Sequence, residues 1–156
     1  MFRHRQILTA TEELISPFTD HQPEPGISST AWLEIFREIT EGKRILLVSS
    51  DEAGEITGAV QLALAAKEND LHRAEVQKLL VHTRFRNRGI AGSLMCAVEN
   101  IGRKEGRTLL VLDTEQGSAA EKLYAKCGHT QAGVIPQYAR SADGSLHDTV
   151  ISYRLL

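Results

Sequence analysis

The stretch Val81-His82-Thr83-Arg84-Phe85-Arg86-Asn87-Arg88-Gly89-Ile90-Ala91-Gly92-Ser93-Leu94 is an apolar strand that runs into a basic, glycine-containing turn and then opens an amphipathic helix. The N–H groups at a helix start have no intrahelical acceptor and sit at the positive end of the helix dipole, so a bound anion satisfies both the donors and the field. Gly89 and Gly92 let that backbone approach closely, and Arg84, Arg86 and Arg88 raise the local positive potential. The turn reads as a phosphate site. A dinucleotide fold would require Gly-x-Gly-x-x-Gly, but Ala91 and Leu94 stand where its second and third glycines belong, although Asp113 sits near its customary acidic position. The bland alternative is a strand-to-helix turn with solvated arginines.

The helix after the turn has a buried face of Ile90, Leu94, Val98 and Ile101, with Gly102 and Gly106 bracketing its end. Leu109-Leu110-Val111-Leu112 then reads as a strand buried on both faces, which makes a parallel strand–helix–strand crossover with the strand at 73–81. Such a crossover brings Asp113, at the end of its strand, near the turn that ends the preceding one. Upstream, the expected elements are a short strand at 3–8, a helical start at 11–14, and a proline- and glycine-broken loop at 17–26. A helix follows, capped by Ser28 or Ser29, carrying Trp32, Ile35, Phe36 and Ile39 at helical spacing and stopped by Gly42. Strands come next at 44–49 and 55–65. Downstream lie a second helix at 118–127 closed by Gly128, then strands at 130–135 and 149–155 with Asp143-Gly144 in a loop between them. The expectation is one domain over residues 1–156, of mixed α/β class, with a mostly antiparallel sheet and one central parallel crossover.

Composition narrows the function. The chain has 156 residues, 42% of them hydrophobic, with 18 basic and 20 acidic side chains and a net charge of −2. That size buries a core without covalent staples, and that balance argues against a nucleic-acid partner and leaves the arginines as a local feature aimed at a small anion. No apolar run approaches the roughly 20 residues that span a bilayer, so no membrane role is expected. Cys96 and Cys127 lack metal-ligand spacing and fit a reducing, cytoplasmic setting; no metal site is expected.

Arg86-Asn87-Arg88-Gly89-Ile90-Ala91 resembles the acetyl-CoA motif of the GNAT N-acetyltransferase superfamily: Arg or Gln, two residues, Gly, one residue, then Gly or Ala. Downstream, Leu123-Tyr124-Ala125-Lys126-Cys127-Gly128 resembles that superfamily's Leu-Tyr-x-x-x-Gly signature. Residues 73–79, 112–121 and 143–147 are similar to the tabtoxin resistance acetyltransferase and its relatives, a likeness that runs from about Leu71 to Leu156 and is weaker upstream. The resemblance implies the GNAT fold, acetyl-CoA as co-substrate, and a small-molecule amine acceptor. It is in the less similar upstream part that this family's early helices wall the acceptor site.

On that resemblance, the backbone of Arg86, Asn87, Arg88, Gly89, Ile90, Ala91 and Gly92 would hold the CoA pyrophosphate. The strand Leu79, Leu80 and Val81 would bond the pantetheine arm and put a backbone N–H on the thioester oxygen. Tyr124 would act as general acid toward the departing sulfur. Passing a proton from a phenol near pKa 10 to a thiolate whose acid is near 8.5 runs uphill by roughly 2 kcal/mol, so hydrogen bonding outweighs full transfer. Glu75 and Gln77 share a face of their strand, and Asp113 ends the neighbouring one, so a carboxylate pair can converge on the gap where an amine arrives. Glu75 is the candidate base or water-relay residue and Asp113 the acceptor-binding or second relay group. Gln77, Tyr138 and Arg140, the last two placed in the loop before residue 149, are candidate acceptor contacts, with Arg140 suited to a carboxylate. His82 is read as a strand-end residue and His129, in place of the family's aromatic, as a packing change. The specific expectation is acetylation of an amino-acid-like or peptide-like toxin or antibiotic in a ternary complex. The alternatives are a protein or peptide N-acetyltransferase and a CoA-binding sensor with little turnover. Homodimers are common in the superfamily, and no sequence feature decides for or against one here.

Overall fold

Apolar residues at alternate positions make strands whose two faces bury different things, and the helices divide between those faces. The computed structural model describes residues 6–9 and 29–156. The order is β1 (Gln6–Thr9), α1 (Ser29–Thr40), β2 (Arg44–Ser50), β3 (Ile56–Leu64), β4 (Arg73–Val81), α2 (Ile90–Lys104), β5 (Leu109–Glu115), α3 (Ala119–Lys126), β6 (Thr130–Arg140) and β7 (Leu146–Leu155). The expected helical start at 11–14, the loop at 17–26 and the Trp32 side chain lie outside the described residues.

One seven-stranded sheet runs β1-β2-β3-β4-β5-β7-β6. Only β4 and β5 are parallel; every other neighbouring pair is antiparallel, as the mixed α/β expectation requires. On one face Leu47, Val60, Leu62, Ala74, Val76, Leu110 and Leu112 pack with Ile90, Leu94, Met95 and Val98 of α2 and Tyr124 of α3. On the other, Val48 packs with Phe36 and Ile39 of α1. Gly58 makes the first contact intimate, since a Cβ there would lie 2.9 Å from the Leu80 carbonyl, 3.1 Å from Ile90 Cγ2 and 3.2 Å from Leu94 Cδ1. The absence of that atom seats the start of α2 directly on the sheet. Among the described residues, no helix is long and apolar enough to cross a membrane.

The three α-helices of the described residues stop with the same pair of bonds. In α3, Gly128 N donates to Ala125 O and His129 N to Tyr124 O, with Gly128 at φ +82°. This left-handed closure fits glycine best because a Cβ at Gly128 would also meet Arg154 Nη1 at 2.7 Å. The bonds Gly106 N to Arg103 O and Arg107 N to Gly102 O close α2 in the same way. Gly102 in the last turn and Gly106 just beyond Lys104 therefore bracket the helix end, as expected. Gly102 lets the helix approach Leu156 and Leu110 closely. The last two strands also exceed expectation: β6 reaches Arg140 and β7 begins at Leu146, so Asp143-Gly144 sits in a short hairpin turn.

Candidate active site

The parallel ladder between β4 and β5 covers only Arg73–Glu75 against Leu109–Val111. Beyond it the strands part, although β4 stays joined to β3 as far as Val81. The cause is local. Lys78 takes φ +50° and the β3–β4 register shifts between Ala59 and Gln61, the mark of a bulge that bends β4 and resets its alternation. Ala74 and Val76 before the bulge, and Leu79 and Val81 after it, consequently all pack on the same core.

A cavity of about 670 Å³ opens at this parting, lined by Leu79, Leu80 and Val81 of β4, by Phe85, Arg86, Asn87, Gly89, Ile90, Ala91 and Gly92 of the turn and α2, and by α3. Among the described residues, no protein acceptor takes the backbone N–H groups from Asn87 to Gly92. Asn87 and Gly89 both lie in the left-handed region, at φ +59° and +76°, a backbone that turns successive N–H groups into an anion-binding concavity. A Cβ built on Gly92 meets nothing within 4 Å, so the glycine leaves room on the cavity side of the helix. These features fit a phosphate-bearing ligand such as the pyrophosphate of CoA.

Nine of the ten residues expected to hold the donor line this cavity, and Arg88 does not. Its guanidinium lies 5.4 Å from the Phe85 ring centre, and Arg84, at 5.7 Å, also pairs with Glu55 at 3.3 Å. Arg86 is the arginine at the cavity. His82 caps the short helical turn Thr83–Phe85, its Nδ1 accepting from Arg84 N at 3.2 Å, which gives it a structural task. The opposite wall, Ala119, Ala120, Leu123 and Lys126, was not among the residues expected to hold the donor. Its signal was present as the four- and three-residue steps between Ala119, Leu123 and Lys126, one face of a helix.

That wall is fixed at both ends. Ser118 caps α3 by accepting from Glu121 N at 3.3 Å, and Glu121 Oε2 reaches back to Gly117 N at 2.7 Å, a capping box extended by one residue. At the other end the Gly128 closure sets the turn carrying Tyr124, whose ring meets that of His129 with centres 6.0 Å apart. Tyr124 is buried, and its burial, with the charges of Asp113 and Cys127, raises its pKa above the ordinary 10. A phenol so held keeps its proton and serves as a hydrogen-bond donor. His129 is buried with no hydrogen-bond partner for either ring nitrogen among the described residues; burial and the Arg154 charge push its pKa down.

Across the sheet lies a different set of side chains. Glu75 is beside Val111 in the parallel ladder, and Asp113 is two residues further, so both carboxylates share the face opposite Tyr124. Gln77, expected to touch the acceptor, is engaged at both ends of its amide. Its Oε1 accepts from Arg44 Nη1 at 2.5 Å, and its Nε2 donates to Glu75 Oε1 at 2.8 Å. Arg44 also donates to Gln61 Oε1 at 2.7 Å and pairs through Nε with Glu38 at 2.6 Å. Neither Arg44 nor Gln61 carries a sequence signal, because their partners are distant in the chain.

Tyr138 and Arg140 are not in a loop; they are exposed residues of the edge strand β6, separated from β5 by β7, and are not brought together with Glu75 and Asp113. Nearer the end of β5, Glu115 Oε1 lies 3.1 Å from His147 Nδ1, and His147 Nε2 lies 2.9 Å from Ser145 Oγ, tying the β6–β7 hairpin to β5.

A family model described as acetyltransferase (GNAT) family matches residues 8–129. The chain belongs to the GNAT acetyltransferase family. Its fold recurs in solved structures whose names give different acceptors. Similar solved structures include yncA of Salmonella typhimurium with its cofactor acetyl-CoA, at TM-score 0.81 and 18% identity over 98% of this chain and 94% of that one. Ribosomal-protein-alanine N-acetyltransferase from Brucella melitensis superposes at TM-score 0.81 and 19% identity, over 97% and 99% of the two chains. Spermidine N-acetyltransferase from Vibrio cholerae, in complex with CoA and spermine, gives 0.79 and 16% over 97% and 95%. At these identities the likeness is one of fold. DNA repair protein RadA of Aquifex aeolicus is 34% identical over 106 residues, which is 67% of this GNAT chain and 20% of that protein. The chain thus spans about a fifth of the length of this curated relative.

Proposed function

We propose that this GNAT protein transfers the acetyl group of acetyl-CoA to a primary amine of a small molecule, by direct attack while both are bound. The observation that carries the reading is the parting of β4 from β5 beyond Glu75, with the anion-binding cavity opening there and two carboxylates on the sheet face opposite Tyr124. Acetyl-CoA supplies an acetyl group activated as a thioester. The free amides from Asn87 to Gly92 hold its pyrophosphate, with Arg86 and Lys126 as nearby cations. The released β4 backbone at Leu79–Val81 bonds the pantetheine arm and directs one N–H at the thioester oxygen.

Glu75 and Asp113 hold the amine as its cation and take its proton through water, since a carboxylate is a weak direct base for an ammonium group. As the new C–N bond forms and the C–S bond breaks, Tyr124 donates a hydrogen bond to the leaving sulfur; its raised pKa makes that role stronger than outright proton transfer. The acceptor we favour is amino-acid-like or peptide-like, as in a toxin or antibiotic. That preference rests on the sequence motifs at residues 73–79, 112–121 and 143–147 alone.

Thiol release from acetyl-CoA at pH 8 over dipeptide toxins, aminoglycosides, polyamines and lysine peptides tests the reading, with CoA binding followed by calorimetry. Release that requires an amine, and falls in Tyr124→Phe, is the expected result. CoA binding without release on any amine would favour a sensor module, and no CoA binding would remove the reading at its base.

A further inference from the structure

We infer that Arg44 is a positioning residue of the acceptor side, acting through Gln77 to fix the Glu75 carboxylate; the inference rests on the transferase reading above. Three bonds in series run from α1 to β4, and a fourth branches from Arg44 to Gln61 of β3. Glu38 Oε2 accepts from Arg44 Nε at 2.6 Å, Arg44 Nη1 donates to Gln61 Oε1 at 2.7 Å and to Gln77 Oε1 at 2.5 Å, and Gln77 Nε2 donates to Glu75 Oε1 at 2.8 Å. The Arg44 side chain keeps 13% of its exposure and Gln61 keeps 3%. No hydrogen bond to Glu75 Oε2 is found among the described residues.

A polar network this enclosed costs stability relative to apolar side chains of the same volume, so its presence asks for a task beyond holding the sheet together. The chemistry supplies one. An amide is symmetric enough to flip, and a flipped Gln77 would present its oxygen to the Glu75 carboxylate and repel it. A guanidinium can only donate, so Arg44 fixes the Gln77 oxygen toward itself and thereby the NH2 group toward Glu75. Glu38 and Gln61 in turn hold the planar guanidinium in one orientation. The result is a glutamate with one oxygen tied down and the other left for the acceptor amine or its relay water. Lysine cannot do the same, because one ammonium cannot span Glu38 and two amide oxygens in a fixed fork.

The test is steady-state transfer by Arg44→Met, Arg44→Lys, Gln77→Leu and the Arg44→Met/Gln77→Leu double variant, beside Glu75→Gln, with melting temperature and acetyl-CoA KM measured for each. Misplacing a reacting group by an ångström costs about a hundredfold at most, so kcat should fall about 10- to 100-fold in Arg44→Met and in Gln77→Leu, with acetyl-CoA KM unchanged. Arg44→Lys should recover melting temperature without recovering kcat. The double variant should be no slower than the worse single one, because both act on one carboxylate. Additive losses, or full recovery of kcat by lysine, overturn the inference and assign Arg44 to stability alone. If Arg44→Met does not fold, Gln77→Leu decides: an unchanged kcat there overturns it. Wild-type protein that releases no thiol on any amine refutes the transferase reading itself. A Glu75→Gln loss without losses at positions 44 and 77 refutes only the inference.

Discussion

Two stretches of β4 border two candidate sites built of different material. At its carboxyl end, from Leu79 onward, the donor cavity is made of main chain: free amides, two left-handed residues and a glycine that leaves room. At its middle, Glu75 and Gln77 belong to a site made of side chains drawn from α1, β2, β3 and β4. Backbone groups are common to all sequences and bind what every acyl-CoA shares; side-chain networks differ by a single substitution and suit an acceptor that varies. Two fold relatives named for different acceptors, a ribosomal-protein-alanine enzyme and a spermidine enzyme, superpose on this chain at TM-scores of 0.81 and 0.79.

The sharpest break in the comparison would come from Glu75→Gln. We expect kcat to fall by about 100-fold with acetyl-CoA KM within about twofold of wild type. A matching rise in that KM would show that the two sites are not separate. Gly92→Ala should act in the opposite sense. Its methyl group enters the cavity and raises acetyl-CoA KM about tenfold, while the helix gains roughly 0.5–1 kcal/mol and melting rises by about 2 °C, so a loss of both affinity and stability would contradict the open cavity side.

His129 tests a stability cost next to Tyr124. Its pKa is depressed in the folded protein, so as pH falls below about 6.5 the unfolded chain takes up a proton that the folded chain refuses, and stability drops until the folded-state pKa is passed. His129→Phe should remove that loss and two unpartnered nitrogens, adding about 1 kcal/mol at neutral pH and more on acidification. Parallel melting curves for the two proteins between pH 5 and 8 would refute this. Smallest of all, Arg140→Ala should leave acceptor KM within about twofold, since β6 stands two strand spacings, roughly 10 Å, from β5. A large rise would bring the edge strand into the acceptor site.

The same division explains what the sequence revealed. A backbone site needs glycine and a strand-to-helix junction at fixed spacing, so a cavity lined by residues 79–81 and 86–92 was legible in outline; only the Arg88 side chain lies off its lining, over the Phe85 ring. The Tyr124 signature was legible too, as Gly128 must follow at C′ for the helix to close over that tyrosine. The Arg44 network was not, for it joins residues up to 39 positions apart, Glu38 and Gln77, that no local pattern relates. Strand ends at Arg140 and Leu146 were missed because Pro136 and the polar residues around it read as loop, while pairing with β7 across an irregular register overrides that preference.

The parting of β4 from β5 leaves the sheet with a third edge, an interior one, in addition to the two at its flanks. A flanking edge can be blunted by charge or proline, but on the proposed function this one stays unpaired because a strand-like ligand arm pairs with it. The sheet is therefore finished by something other than its own chain. Any ligand that bonds this edge in the folded state and not in the unfolded one lengthens the protein's survival against proteases in proportion to its supply, so the abundance of the protein in a cell would follow the availability of its donor.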